Sequence, residues 1–288
     1  MTMIDINKEL EINPIILSIF SSSYYNESIT ELIKNFKDKK VCYVTLNKTT
    51  GSLIKRFKSE KIKTDKIFFI DAITSTIDPA EKYDNSILIS SPYALTEISI
   101  AITEALKSRA FDVLVFDSLS SLNMYNYAPK TAGQFTSFII NKIKSKKNMG
   151  VFTCLENDEK TELIKESSMF VDKVVRFRSA EREKQKSILT YTFALLLLGL
   201  FSVFLAKPKV IGMVTTALDE IPDVNPYFPL ILAGIFFLAA IIVYKKPFLS
   251  GKEEVLPPEQ PNPGNTKETV KLKEGFKAKI KRWLRRTK

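Results

Sequence analysis

Two apolar runs, Ile188 to Ala206 and Tyr227 to Tyr244, are 19 and 18 residues long and contain no charged side chain; no other feature restricts the chain as much. At about 1.5 Å per residue, a helix of either length crosses most or all of a hydrocarbon layer about 30 Å thick. In the first run Leu195, Leu196, Leu197, Leu198, Phe201, Val203, Phe204 and Leu205 each favour insertion by roughly 0.3 to 0.6 kcal/mol near mid-membrane. Thr190, Thr192 and Ser202 can return their hydroxyls to the helix backbone. Long helices buried in a water-soluble core normally keep a polar stripe, and these have none. Residues 181–246 are therefore expected to form a transmembrane hairpin.

The flanks orient it. Lys173, Arg176, Arg178, Arg182, Lys184 and Lys186 precede the first run and Lys245, Lys246 and Lys252 follow the second, whereas the intervening loop has only Lys207 and Lys209. Cations favour the cytoplasmic side, so both termini are expected there, in a multi-pass protein of the cell membrane. The start, Met1-Thr2-Met3-Ile4-Asp5, lacks the basic and apolar regions of a cleaved signal peptide. The cations of 179–186 are expected to attract headgroups.

Residues 1–180 are long enough to bury one full core and are expected to form a single cytosolic domain. Here short β-rich runs alternate with segments of helical period. The runs are 15–20, 41–46, 66–70, 86–90, 112–116, 150–156 and 172–177. Between them Ile29, Leu32, Ile33 and Phe36 recur at helical spacing, as do Leu53 and Phe57, then Leu95, Ile98, Ile102 and Leu106, then Phe135, Phe138, Ile139 and Ile143. Such alternation predicts an α/β fold, a mostly parallel sheet covered by helices on both faces, with its functional crevice beyond the carboxyl ends of the strands.

The chain contains no histidine, which removes imidazole bases, His-based triads and His metal sites. Cys42 and Cys154 lie inside apolar strings and read as buried small hydrophobes in a reducing compartment. No metal site and no catalytic residue is assigned.

Two strand ends contain recognisable strings. Val113-Leu114-Val115-Phe116-Asp117 has the form of a Walker B strand, which delivers a carboxylate to a magnesium nucleotide; an Asp capping the next turn gives the same string. After the first run, Ser21 to Ser28 can be aligned with a P-loop, which needs Gly, four residues, Gly, Lys and Ser or Thr to wrap, neutralise and coordinate phosphate. Ser21 and Asn26 stand at the glycine positions, Glu27 at the lysine position, and Ser28 alone fits.

Residues 14–178 resemble the RecA-like ATPase fold in its KaiC-like branch. The resemblance is carried by Val113 to Leu119, by Tyr43-Val44-Thr45-Leu46, by Phe135 with Phe138-Ile139-Ile140, and by Gly150-Val151-Phe152. Receiver-like and flavodoxin-like sheets give similar periodicity; the Asp-Ser-Leu-Ser ending and the seven strands favour the RecA-like arrangement. The resemblance implies paired water-activating glutamates after the second strand, where this chain has Asn47-Lys48. Ser28 and Asp117 remain as remnants of a cofactor-binding site, with ATP and magnesium doubtful and no cofactor expected. Homo-oligomers also occur in that family.

Residues 247–266 contain Pro257, Pro258, Pro261 and Pro263, a composition for an extended linker. Residues 267–288 hold ten Lys or Arg against Glu268 and Glu274, a large share of the formal charge of +11. On a helix, Leu272, Phe276, Ile280, Trp283 and Leu284 fall within an arc of about 120°, with Lys271, Lys277, Lys281, Arg282 and Arg285 outside it. A basic amphipathic helix of this kind is expected on an anionic membrane surface, with Phe276, Ile280, Trp283 and Leu284 toward the lipid; nucleic acid is the rival partner.

The leading expectation is a membrane-anchored, catalytically inactive ATPase-fold scaffold or regulator at the cytoplasmic face. Two alternatives stand beside it: slow nucleotide turnover through Ser28 and Asp117, and a membrane tether for nucleic acid through the tail.

Overall fold

The computed structural model describes residues 5–108, 110–125, 127, 129–176, 190–199 and 266–287. The chain divides into two compact units, one formed by 1–179 with 257–288 and the other by 180–256.

In the first unit the strands are β1 (Ile15–Phe20), β2 (Val41–Thr45), β3 (Ile67–Asp71), β4 (Ser86–Leu88), β5 (Val113–Asp117), β6 (Met149–Leu155) and β7 (Lys173–Arg176). They build one parallel sheet in the order β4-β3-β2-β5-β6-β1-β7. All seven expected runs are strands, each displaced by no more than two residues at either end.

The helices are α1 (Ile6–Ile12), α2 (Tyr25–Asn35), α3 (Thr50–Ser59), α4 (Thr74–Ile77), α5 (Leu95–Lys107), α6 (Leu119–Met124), α7 (Pro129–Ser145) and α8 (Glu162–Phe170). Local chemistry sets several starts: the Asp5 carboxylate accepts from the Asn7 amide, the Thr49 hydroxyl from Ser52 and the Ser118 hydroxyl from Ser121. Each satisfies an N–H that the first turn leaves without a partner.

Strand side chains alternate between two cores, as parallel strands covered on both faces require. Ile16, Phe20, Val41, Tyr43, Phe69, Val115 and Val151 pack against α1, α2 and α3. Leu17, Val44, Phe68, Ile70, Phe116 and Phe152 pack against α5, α6, α7 and α8. The connections β1 to β2 and β2 to β3 run toward the β4 edge, while β4 to β5, β5 to β6 and β6 to β7 run the other way. Right-handed crossovers put those two sets of helices on opposite faces. Neighbouring β2 and β5 therefore send their chains in opposite directions, and the crevice of such a sheet opens at that switch point. Thr45 and Asp117 pair there at the carboxyl ends.

The C-terminal helix, Thr266–Arg286, completes the second core. Phe276, Ile280 and Trp283 are buried, and Leu272 and Leu284 pack beside them. The Trp283 indole stacks on Phe111 at 5.2 Å between centroids and lies 5.3 Å from Phe68; its N–H donates to the Asp65 carbonyl at 3.2 Å. Arg286 pairs with Asp84 at 2.5 Å. The apolar stripe expected to face lipid is thus occupied within the domain, where it packs on apolar residues of α5, Phe68 and Phe111. Lys277, Lys281, Arg282 and Arg285 remain exposed.

In the second unit, residues 190–199 are helical. The rest of both apolar runs lies outside the described residues, as do the expected outer loop and most of the proline-rich linker. Among the described residues, no helix is long and apolar enough to cross a membrane.

Candidate functional site

A row of small polar side chains crosses the α2/α3 face of the sheet near its carboxyl end. Ser18 of β1 pairs with Thr153 of β6. Phe116 pairs with Phe152, which brings the next residues, Asp117 and Thr153, side by side. Thr45 of β2 pairs with both Asp117 and Asp71. All five side chains, from Ser18 through Thr153, Asp117 and Thr45 to Asp71, are buried.

Asp117 is the centre of the row and has no exposed surface. Its Oδ1 accepts from the Tyr25 hydroxyl and from Asn47 Nδ2, the latter at 2.9 Å, and its Oδ2 accepts from the Tyr43 hydroxyl. These three donors come from the start of α2, from β2 and from the turn after β2. Tyr25 also lies 3.2 Å from the Thr153 hydroxyl, which donates to the Phe116 carbonyl. Aromatic neighbours fix both phenols: Tyr25 is edge-on to Phe20 at 5.6 Å, and Tyr43 to Phe57 at 6.0 Å.

The electrostatics follow from this enclosure. Burial raises the Asp117 carboxyl above the ordinary carboxylate range, opposed by the three hydrogen bonds and by the charge of Lys48. Burial, and then the charge of Asp117, hold the Tyr25 and Tyr43 phenols well above their ordinary value, so both remain donors. A carboxylate only accepts, and magnesium demands near-octahedral oxygen contacts at about 2.0 to 2.1 Å. Three of the carboxylate's roughly four lone-pair sites are taken by protein donors and Asp117 has no exposed surface, so a cation has no open approach to it as the side chains stand.

The segment aligned with a P-loop is folded as a short 3-10 turn, Ser22–Tyr24, running straight into α2. Asn26, Glu27 and Ser28 belong to the first turn of α2, and the residues before them form a tight turn where a P-loop has an open, glycine-rich wrap around phosphate. Ser28 is buried on the inner side of α2, and among the described residues it is not a partner of Asp117. Thus the two cofactor-site candidates sit on neighbouring elements, but no hydrogen bond brings them together. The Glu27 carboxylate, at the lysine position, accepts from Arg56 Nη2 at 3.3 Å, and Arg56 Nε donates to the Thr30 hydroxyl at 3.1 Å. The Lys48 ammonium donates to the Asn26 side-chain oxygen. Thr45 closes the turn beneath it, its hydroxyl donating to the Lys48 carbonyl at 2.8 Å and accepting from the Lys48 amide at 3.1 Å.

Asp71 is a second buried carboxylate that the sequence reading overlooks. It accepts from Thr50 N at 2.6 Å and Thr50 Oγ1 at 2.7 Å, and from Ile73 N, Thr74 N and Thr74 Oγ1. It ties the start of α3 to the end of β3. Ile67-Phe68-Phe69-Ile70-Asp71 has the same form as Val113 to Asp117, four apolar residues ending in an acid, and that repetition is the available signal. Burial also raises both cysteine thiols, Cys154 to about 12, far from the thiolate that redox or metal chemistry uses. Among the described residues, no cluster of His, Cys, Asp or Glu could hold a metal ion.

Comparison with known proteins returns a match to the model of a family of unknown function, DUF7504, over residues 36–177. No curated protein matches the sequence. Among solved structures, the crystal structure of a KaiC-like protein from the hyperthermophilic archaeon Pyrococcus horikoshii is similar, with 10% sequence identity and a TM-score of 0.42. That alignment covers 56% of this chain and 69% of the other.

Proposed function

We propose that the chain is a membrane-anchored, catalytically inactive relative of RecA/KaiC-like ATPases, acting as a scaffold or regulator at the cytoplasmic face of the cell membrane. The observation that carries the reading is the Asp117 carboxylate, enclosed by Tyr25, Tyr43 and Asn47. A strand end that delivers an acid to a magnesium nucleotide in a working enzyme is spent here on holding three elements of the fold together. Around it, Lys48 and Asn26 join across the crevice and Glu27 is engaged by Arg56. The polar groups at these strand ends are engaged by one another, and Asn47-Lys48 stands where catalytic glutamates would be.

Support for the anchor comes from the two uncharged runs and from the described part of the first. Tyr191 and Phe193 there are 69% and 63% exposed, with Leu196, Leu197 and Leu198 also exposed. Water penalises such a surface and hydrocarbon does not.

The test is ATP turnover by the detergent-solubilised full chain, with Asp117→Ala as control. Background rates in both proteins are expected. Turnover in the parent that the substitution abolishes would overturn the proposal.

A further inference from the structure

The C-terminal helix has two unlike faces, and packing of the domain uses one of them. Phe276, Ile280 and Trp283 are sealed against α5, Phe68 and Phe111, and Trp283 is pinned to the Asp65 carbonyl. The other face displays Lys271, Lys273, Lys277, Lys281, Arg282 and Arg285, all exposed, while Glu274 is the one acid among residues 270–287. Lys279, half-buried in the seam, is held below its ordinary value by burial first, then by Arg282 and Lys82, with Asp84 opposing. With Phe276, Ile280 and Trp283 turned into the core, the cationic side is the side that points outward.

We infer that this helix is a fixed cationic face of the folded domain that rests on anionic lipid headgroups, attracted by charge while its apolar stripe stays inside the protein. The inference rests on the membrane anchoring proposed above and adds to it which surface meets the bilayer and how. An amphipathic helix that binds lipid by insertion needs its apolar stripe free; here the stripe is occupied, so only the electrostatic part of that attraction remains. From residue 271 to 285 the cations extend along roughly 20 Å of helix, a span suited to several headgroups at once instead of one phosphate. The linker bounds the geometry: residues 247–265 span no more than roughly 60 Å in polyproline geometry. A helix tethered that close to the bilayer meets headgroups at high effective concentration, which favours lipid over nucleic acid free in solution.

The full chain is reconstituted into phosphatidylcholine vesicles with or without phosphatidylglycerol. Acetylation rates of the helix lysines are read by peptide mass spectrometry, and brominated acyl chains serve as quenchers of Trp283, the one tryptophan in the chain. The expected result is slower acetylation of Lys271, Lys273, Lys277 and Lys281 only when phosphatidylglycerol is present. Salt should reverse it, since screening shortens from about 10 Å at 0.1 M to about 3 Å at 1 M, and Trp283 should not be quenched. Replacing Lys277, Lys281, Arg282 and Arg285 by Glu should remove the protection of Lys271 and Lys273, because headgroup affinity falls on the order of fivefold per cation lost. Unchanged Trp283 emission shows that the variant helix is still docked.

Quenching by brominated chains, equal acetylation in both vesicles, or protection by added RNA or DNA without anionic lipid would each overturn the inference. Retention in phosphatidylcholine vesicles after an alkaline wash reads the anchor separately. A retained chain with equal acetylation rates refutes the headgroup contact alone, whereas a chain washed away refutes the anchor and the inference with it.

Discussion

Replacing Asp117 by alanine separates a structural carboxylate from a catalytic one. The substitution leaves the phenols of Tyr25 and Tyr43 and the amide of Asn47 without their acceptor in a closed interior. A buried donor left unsatisfied costs about 1 to 3 kcal/mol. Against this, deletion returns the desolvation penalty of the buried carboxylate, the same penalty that raises its pKa. The net loss is about 3 kcal/mol, at the low end for breaking a buried charged network. In a domain of this size that lowers Tm by about 6 to 12 °C. Asp117→Asn keeps an acceptor for Tyr25 and Asn47 but turns an N–H toward Tyr43, leaving one phenol donor without its acceptor, so its Tm should fall by less than that of the alanine variant. Thermal unfolding of the detergent-solubilised full chain, followed by circular dichroism, measures both. An alanine variant as stable as the parent would refute the reasoning, most clearly if it had also lost nucleotide binding.

Other expectations can be checked in the same preparation. Because burial raises the folded-state pKa of Asp117, its contribution to stability is greatest at acid pH and falls as pH rises through the unfolded value of about 3.9 toward the folded one; the parent should therefore gain on Asp117→Asn as pH drops, and a pH-independent difference would contradict the shift. Glu27→Lys breaks the part-exposed pair with Arg56, should cost less than about 1 kcal/mol, and should leave ATP hydrolysis at background; a rise in turnover would show that the remaining site is competent. Trp283→Ala should cost about 3 kcal/mol and speed hydrogen exchange in α5 and the C-terminal helix but not in β1 or β5; uniform protection would show that the docking is energetically idle. Lys147 has φ 56° at the end of α7, a conformation that disfavours side chains by roughly 1 kcal/mol or more, so Lys147→Gly should raise Tm by a few degrees, and a lowered Tm would argue against that backbone geometry.

The architecture was legible because burial on two faces leaves a strong imprint. Runs such as Val41 to Leu46 and Val113 to Phe116 are apolar at nearly every position, and the segments between them repeat at helical period. Short elements were harder: α4 and α6 have four and six residues, too few to establish a period. Asp117 stood out by its place at a strand end, yet nothing in the string tells a cation-binding acid from an enclosed one. That difference depends on Tyr25 and Tyr43, which are 92 and 74 residues away in sequence; Tyr43 reaches the carboxylate because β2 pairs with β5, and Tyr25 from the helix that follows β1, two strands from β5 in the sheet. The stripe on the C-terminal helix was visible, but its partner was not, since Phe68 and Phe111 form the complementary surface only after the sheet has assembled.

Calorimetric titration of Mg-ATP into the full chain puts the enclosed carboxylate to its most direct test. With both oxygens of Asp117 held by protein donors and Glu27 at the lysine position, the account predicts no saturable heat. A micromolar isotherm, corresponding to about −8 kcal/mol, that disappears in Asp117→Asn would contradict it.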